Sequence, residues 1–212
     1  MVASIRHHLS VILFFARLSI QRSLEYPFSL FGIVCSLSFS YVWIGVSFKL
    51  LVDNFQPISG WTFPQLSFLY GLSLISRGVM SIVSFQSRQI DRMVTHGEFD
   101  QLLLRPLDVT VQFAVNQINV VGLVHLMIGI GFFGYGCRLA GFEWHLLNVI
   151  CVFLVILGGT LIYWSFFSLI SSIAFWTKRS EPLVNASQEI LRRGTFYPLT
   201  IYPPFIRHLM TF

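Results

Sequence analysis

Few residues in this chain are of a type and spacing that could do chemistry. Its histidines are His7, His8, His96, His125, His145 and His208. No two have the i, i+3 or i, i+4 spacing with which one helix face presents two ligands to a metal ion. Only one group of acids is close in sequence, Asp91, Glu98 and Asp100. They lie in a polar stretch with no positioned nucleophile beside them, so an intramembrane lipid enzyme is not assembled there. The phosphate loop G-x-x-x-x-G-K-[ST] is missing, as is any Gly-Lys pair, which closes that route to ATP binding within this chain. Cys35, Cys137 and Cys151 form no C-x-x-C pair, and read as small apolar residues rather than a disulfide framework. The expectation is a chain with no catalytic residue, no metal and no cofactor.

A second group of polar residues falls inside apolar stretches: Arg77, Asn116, Asn119 and His125. These are candidate pathway or packing residues. Arg77 lies about eight residues, roughly 12 Å, from one end of its stretch, close enough to snorkel toward headgroups. A lone His or Asn between helices serves most simply as a hydrogen-bonding group. Gly129, Gly131, Gly134 and Gly136, with Gly158 and Gly159, suit close helix contact.

The elements that must carry these residues follow from composition. Of 212 residues, 55% are hydrophobic and 11% charged, against about 25% charged in a soluble domain. Mean hydropathy is +0.72. Too little polar surface exists to coat a water-soluble globule, which excludes a soluble enzyme, a disordered tail and a disulfide-stapled secreted domain. The net charge of +5 is not clustered on one polar face, so nucleic acid is not an expected partner.

A membrane-crossing helix needs about 20 mostly apolar residues. Four stretches satisfy this, at about 28–52, 63–85, 109–135 and 147–176, and a weaker fifth runs over 196–212. Basic residues alternate between the flanking segments. Arg6, Arg17 and Arg22 precede the first stretch, and Arg88, Arg92 and Arg105 follow the second. Lys178, Arg179, Arg192 and Arg193 follow the fourth, while the other two loops hold almost none. Excess positive charge marks the cytoplasmic side, so the N-terminus and the second and fourth loops are expected there. In residues 1–26, Arg6, Ser10, Arg17 and Gln21 share a stripe opposite Val11, Ile12, Phe15 and Leu18, the pattern of an interfacial amphipathic helix. The expected fold is all-α, a polytopic integral membrane protein: an interfacial helix over 1–26, then a transmembrane domain over 27–212.

The loop from Ser87 to Asp108 is the least ordinary segment. It reads as a short helix up to His96, closed by Gly97 in the left-handed conformation, then a second short turn over Glu98 to Leu104. Arg105 precedes Pro106 and is pushed out of helical geometry, and Pro106 can open the next helix. A compact elbow of mixed charge results.

The run GEFDQLLLRPL, starting at Gly97, resembles the signature of bacterial ATP-binding-cassette (ABC) permeases of the exporter type, also called type 2. Phe175-Trp176, a following polar helix, Tyr197-Pro198 and Ile201-Tyr202 with Arg207 resemble that family's later pattern. The resemblance implies the transmembrane (permease) subunit of an ABC transporter in a bacterial plasma (inner) membrane, with a cytoplasmic N-terminus. It implies a separate ABC ATPase subunit as partner, docked at a coupling loop over 87–108 whose matching residues are Gly97, Glu98, Asp100, Leu103, Arg105 and Pro106. It also implies a second permease, identical or a sister subunit, surrounded by membrane lipid. The family pattern runs about fifty residues further and includes a sixth span, so the chain reads as C-terminally truncated. A transport-inactive membrane scaffold is the alternative expectation.

Overall fold

The computed structural model describes residues 17, 21, 25–54, 60–83, 90–104, 119–177, 180–194 and 203–211. Every regular element among them is a helix. In chain order these are α1 (Pro27–Asn54), α2 (Phe63–Val83), α3 (Ile90–Thr95), α4 (Glu98–Leu103), α5 (Val120–Ala140), α6 (Leu146–Ser172), α7 (Ala174–Thr177), α8 (Glu181–Gly194) and α9 (Pro204–Thr211). The expected interfacial helix over 1–26 lies almost wholly outside the described residues.

Three helices are long and apolar enough to cross a membrane, over Pro27–Leu50, Val121–Ala140 and Leu146–Thr177. The protein is therefore a multi-pass membrane protein. α2 has the length, 21 residues, but carries Gln65, four serines and Arg77, which lower its apolar character. Burial explains this composition. α2 lies between α5 and α6 and also touches α1, so most of its residues from Leu66 to Ser81 face protein. The expected fifth stretch contributes α9, of only 8 residues, and 196–202 lie outside the described residues.

The closest contact in the fold joins α2 and α5. These helices run antiparallel in one unbroken register. Phe68, Gly71, Ile75, Gly78 and Ile82 lie opposite Gly136, Phe133, Gly129, Leu126 and Gly122. The glycines recur every seven residues on each helix, which keeps them on one seam. There they let backbones meet: a Cβ on Gly136 would stand 2.5 Å from the Phe68 nitrogen, and one on Gly129 would stand 2.9 Å from the Ile75 nitrogen. Small residues permit this approach inside a membrane, where association depends on packing rather than on expelling water. The Ser67 hydroxyl adds a bond to the Phe132 carbonyl at 3.0 Å.

α6 crosses α2 on its other side. A Cβ on Gly159 would meet Ser76 Oγ at 2.7 Å. The Thr160 hydroxyl reaches the Ser76 carbonyl at 3.3 Å, and Ser73 lies 3.5 Å from the Tyr163 hydroxyl. α1 is held differently, by rings. Tyr70 of α2 meets Phe48 at 5.7 Å and Phe132 at 5.1 Å between centroids, both edge to face. Tyr41, Phe48, Tyr70 and Leu74 form the buried centre of this cluster.

The expected third stretch, 109–135, is displaced. Its described helix runs from Val120 to Ala140, and 109–118 lie outside the described residues. Asn119 sets the start, because its side-chain oxygen accepts from Val121 N at 3.0 Å, the action of an N-cap. Gly141 sets the end at φ 68°, with its N–H on the Cys137 carbonyl. Phe142 and Trp144 then fold over the short connection to α6, their centroids 5.1 Å apart. Of the glycines expected to mediate close contact, Gly129, Gly136 and Gly159 do so, while Gly131, Gly134 and Gly158 have nothing within 4 Å.

Candidate functional site

The elbow between α2 and α5 is built from two six-residue helices, α3 and α4. Gly97 joins them at φ 72°. Its N–H bonds the Val94 carbonyl at 3.4 Å, so the chain turns sharply and restarts as a helix at Glu98. Glu98 and Asp100 occupy the first turn of α4, where carboxylates complement the unsatisfied N–H groups of a helix start.

The elbow is anchored on its inner side and open on its outer side. Met93 of α3 is buried, and α3 rests against the ends of α6 and α7. Phe99 of α4 meets Phe175 of α7 edge to face, with centroids 4.9 Å apart. Glu98, Asp100 and Gln101 are exposed, and so are two large apolar residues, Leu103 at 57% and Leu104 at 85%. A surface with acids beside bare leucines has the mixed character of a protein-docking patch, apolar anchors flanked by charge.

Of the residues expected to bind a partner, Gly97, Glu98, Asp100 and Leu103 stand together on this elbow. Arg105 and Pro106 lie outside the described residues. Phe99 and Leu104 were not among the expected site residues. Phe99 holds the elbow down, and Leu104 is the most exposed apolar side chain among its described residues. Their signal is partial: in α4 a residue at 99 falls on the opposite side from its acidic neighbours.

Of the candidate pathway residues, Arg77, Asn119 and His125 stand on the helices of the bundle rather than on the elbow itself. Asn119 caps α5 and also donates its side-chain N–H to Ser81 Oγ at 3.3 Å, tying α5 to α2. His125 Nδ1 lies 2.8 Å from the Val121 carbonyl of its own helix, and its ring meets Tyr41 edge to face at 5.5 Å. Arg77 is buried, at 8% exposure. Asn116 lies outside the described residues. Among the described residues no three His, Cys, Asp or Glu side chains stand close enough to hold a metal ion.

Beyond the bundle, α8 folds back along α6. It is amphipathic, and its buried Val184 packs with Met80, Tyr163 and Phe167, with Leu191 beside them. The polar helix after Phe175-Trp176 is thus bound to the membrane helices by an apolar stripe.

A family model described as ABC-2 family transporter protein matches residues 38–212, which take in every helix from the middle of α1 onward and the whole elbow. No curated protein and no solved structure matches the chain.

Proposed function

The chain belongs to the ABC-2 transporter family and is a permease subunit of an ABC transporter; from that premise we propose that it works as the membrane half of an exporter whose elbow, α3 and α4, grips a separate ATPase. One observation carries the docking role. The elbow is fixed to α6 and α7 on one side through Met93 and Phe99, and on the other bares Glu98, Asp100, Leu103 and Leu104. Such an element passes a rigid-body movement of a bound partner into the helices behind it.

α2 serves as a fourth crossing helix. Its 21 residues span about 31 Å, its serines lie against α5 and α6, and Arg77 is buried. The excess of basic residues in the first, third and fifth segments supports a cytoplasmic elbow, with the N-terminus on the same side. Gly131 and Gly134 leave open backbone on the outer surface of α5, which suits close approach by a second permease subunit.

The test is co-purification of the tagged chain with its ATPase from membranes, for wild type and for Glu98→Lys with Asp100→Lys and Leu103→Ala. Loss of the ATPase from the variant, with the variant still inserted and folded, supports the reading. Equal recovery and equal ATP-dependent transport would remove it.

A further inference from the structure

We infer that Trp176 of α7 is an anchor for the ATPase, seated beside the elbow and entering an apolar pocket of that partner. This rests on the elbow's docking role, to which it adds a residue of another helix. Trp176 is 81% exposed, the most exposed of the chain's five tryptophans. A bare indole forgoes a large hydrophobic gain, and tryptophan leads the residues that anchor protein interfaces.

Depth separates this side chain from the aromatic belt that a membrane protein places at headgroup level. α6 and α7 together form an apolar stretch of 32 residues, Leu146–Thr177, about 48 Å long, whereas a hydrocarbon core is about 30 Å thick. The neighbouring α2 shows which end is in excess. The two run in the same direction: a Cβ on Gly159 would meet Ser76 Oγ, and Tyr163 and Phe167 pack with Met80. From Ser76 to Val83, the last residue of α2, is about 10 Å of helix, and from Gly159 to Trp176 about 25 Å. Along the helices, Trp176 therefore stands roughly 15 Å past the end of α2. The headgroup layer adds only about 5–8 Å on each face, so the indole lies beyond it, on the side of the elbow.

α7 turns this ring outward. Ala174 is fully buried, and at about 100° per residue Trp176 lies roughly 200° further round, on the face turned from the bundle. Phe175, between them, meets Phe99 of the elbow. Leu103 stands one turn beyond Phe99 on α4, and Leu103 and Leu104 are both exposed. The Phe99–Phe175 contact is thus the joint between two bare apolar groups, the leucines of α4 and the indole of α7. A partner that covers the elbow from the cytoplasmic side meets both. The surface it needs is an apolar pocket with an oxygen at its rim for the indole N–H.

The experiment places the full chain in nanodiscs of phosphatidylethanolamine and phosphatidylglycerol and titrates it with the ABC ATPase subunit that co-purifies with wild type. Trp176→Ala should weaken ATPase binding about thirty-fold, the scale of an interface hot spot, and Trp176→Phe should weaken it less. Both variants should unfold at the wild-type temperature without the ATPase, because a side chain 81% exposed adds little to the fold. Unchanged binding by Trp176→Ala overturns the proposal: paired with earlier unfolding it assigns the ring to lipid, and paired with an altered oligomeric state it assigns the ring to a second copy of this chain. A loss of binding matched by earlier unfolding without the ATPase overturns it as well. The variant with Glu98→Lys, Asp100→Lys and Leu103→Ala, titrated beside it, separates the two readings. If that variant loses the ATPase while Trp176→Ala keeps it, the elbow docks alone and Trp176 is no anchor. If Trp176→Ala loses it while the elbow variant keeps it, the anchor stands and the elbow's docking role falls.

Discussion

Phe99 and Phe175 meet edge to face with their centroids 4.9 Å apart, so the second half of the elbow is latched to the end of α6–α7 rather than to the helices it connects. A push on the elbow then reaches α6 directly. An aromatic pair of this geometry is worth about 0.5–1.5 kcal/mol beyond its burial, enough to hold a short helix in place. Phe99→Ala and Phe175→Ala should each leave the ATPase bound while lowering transport per ATP hydrolysed several-fold. The double variant should be no worse than the weaker single one, because both remove the same contact. Additive losses, measured in proteoliposomes with the ATPase present, would show that the rings act separately.

The glycine seam between α2 and α5 leads to a contrast in stability. A Cβ on Gly71 would enter the Phe133 backbone, and one on Gly136 would stand 2.5 Å from the Phe68 nitrogen. Neither neighbour is the free end of a side chain, so the helices themselves must separate. Gly71→Ala and Gly136→Ala should each cost about 1–3 kcal/mol. Gly32 of α1 has nothing within 4 Å, and Gly32→Ala should be neutral or gain up to about 1 kcal/mol from helix propensity. Thermal unfolding of the purified chain in one detergent compares the three.

These two features were unequally legible in the sequence. The elbow's turn could be read because Gly97 ends a short polar segment and only a left-handed residue fits there. The glycines of α5 could be read as contact residues, but not which of them make the contact. Gly129 and Gly136 touch α2, whereas Gly131 and Gly134, of the same type in the same run, do not. Only the seven-residue spacing shared with Gly71, Gly78 and Gly122 selects the seam, and that requires knowing which helices pair. α2 shows the opposite difficulty. Hydropathy measures fitness for lipid, and a helix enclosed by three others can hold serines and an arginine without meeting lipid. Phe99 is one of 22 phenylalanines, and nothing local marks the one that reaches a residue far along the chain.

Gly97 sets the angle between α3 and α4. An L-residue held at φ 72° costs roughly 1–2 kcal/mol, and less for Asn. Gly97→Ala should therefore loosen the elbow without disturbing the bundle, while Gly97→Asn should be milder. Amide hydrogen exchange checks this. Residues 90–103 should exchange faster in Gly97→Ala, and residues 63–83 and 120–140 should stay as in wild type. Uniform acceleration would mean that the elbow and the bundle open as one unit.

Asn119 does two jobs with one side chain, and they can be separated. Its oxygen accepts from Val121 N at 3.0 Å, and its N–H₂ donates to Ser81 Oγ at 3.3 Å. The first bond caps α5, worth about 1 kcal/mol against alanine. The second ties the start of α5 to α2, at about 0.5–1.5 kcal/mol for a neutral pair. Asn119→Asp keeps an oxygen for the cap and reverses the second contact, with the Ser81 hydroxyl donating to a carboxylate whose charge is costly to hold there. Asn119→Ala loses both. The expected order of thermal stability is wild type, then Asn119→Asp, then Asn119→Ala. Ser81→Ala should lower wild type and leave Asn119→Ala almost unchanged, since the bond it removes is already gone. If Ser81→Ala costs the same in both backgrounds, the two residues are not coupled and the start of α5 is held by its cap alone.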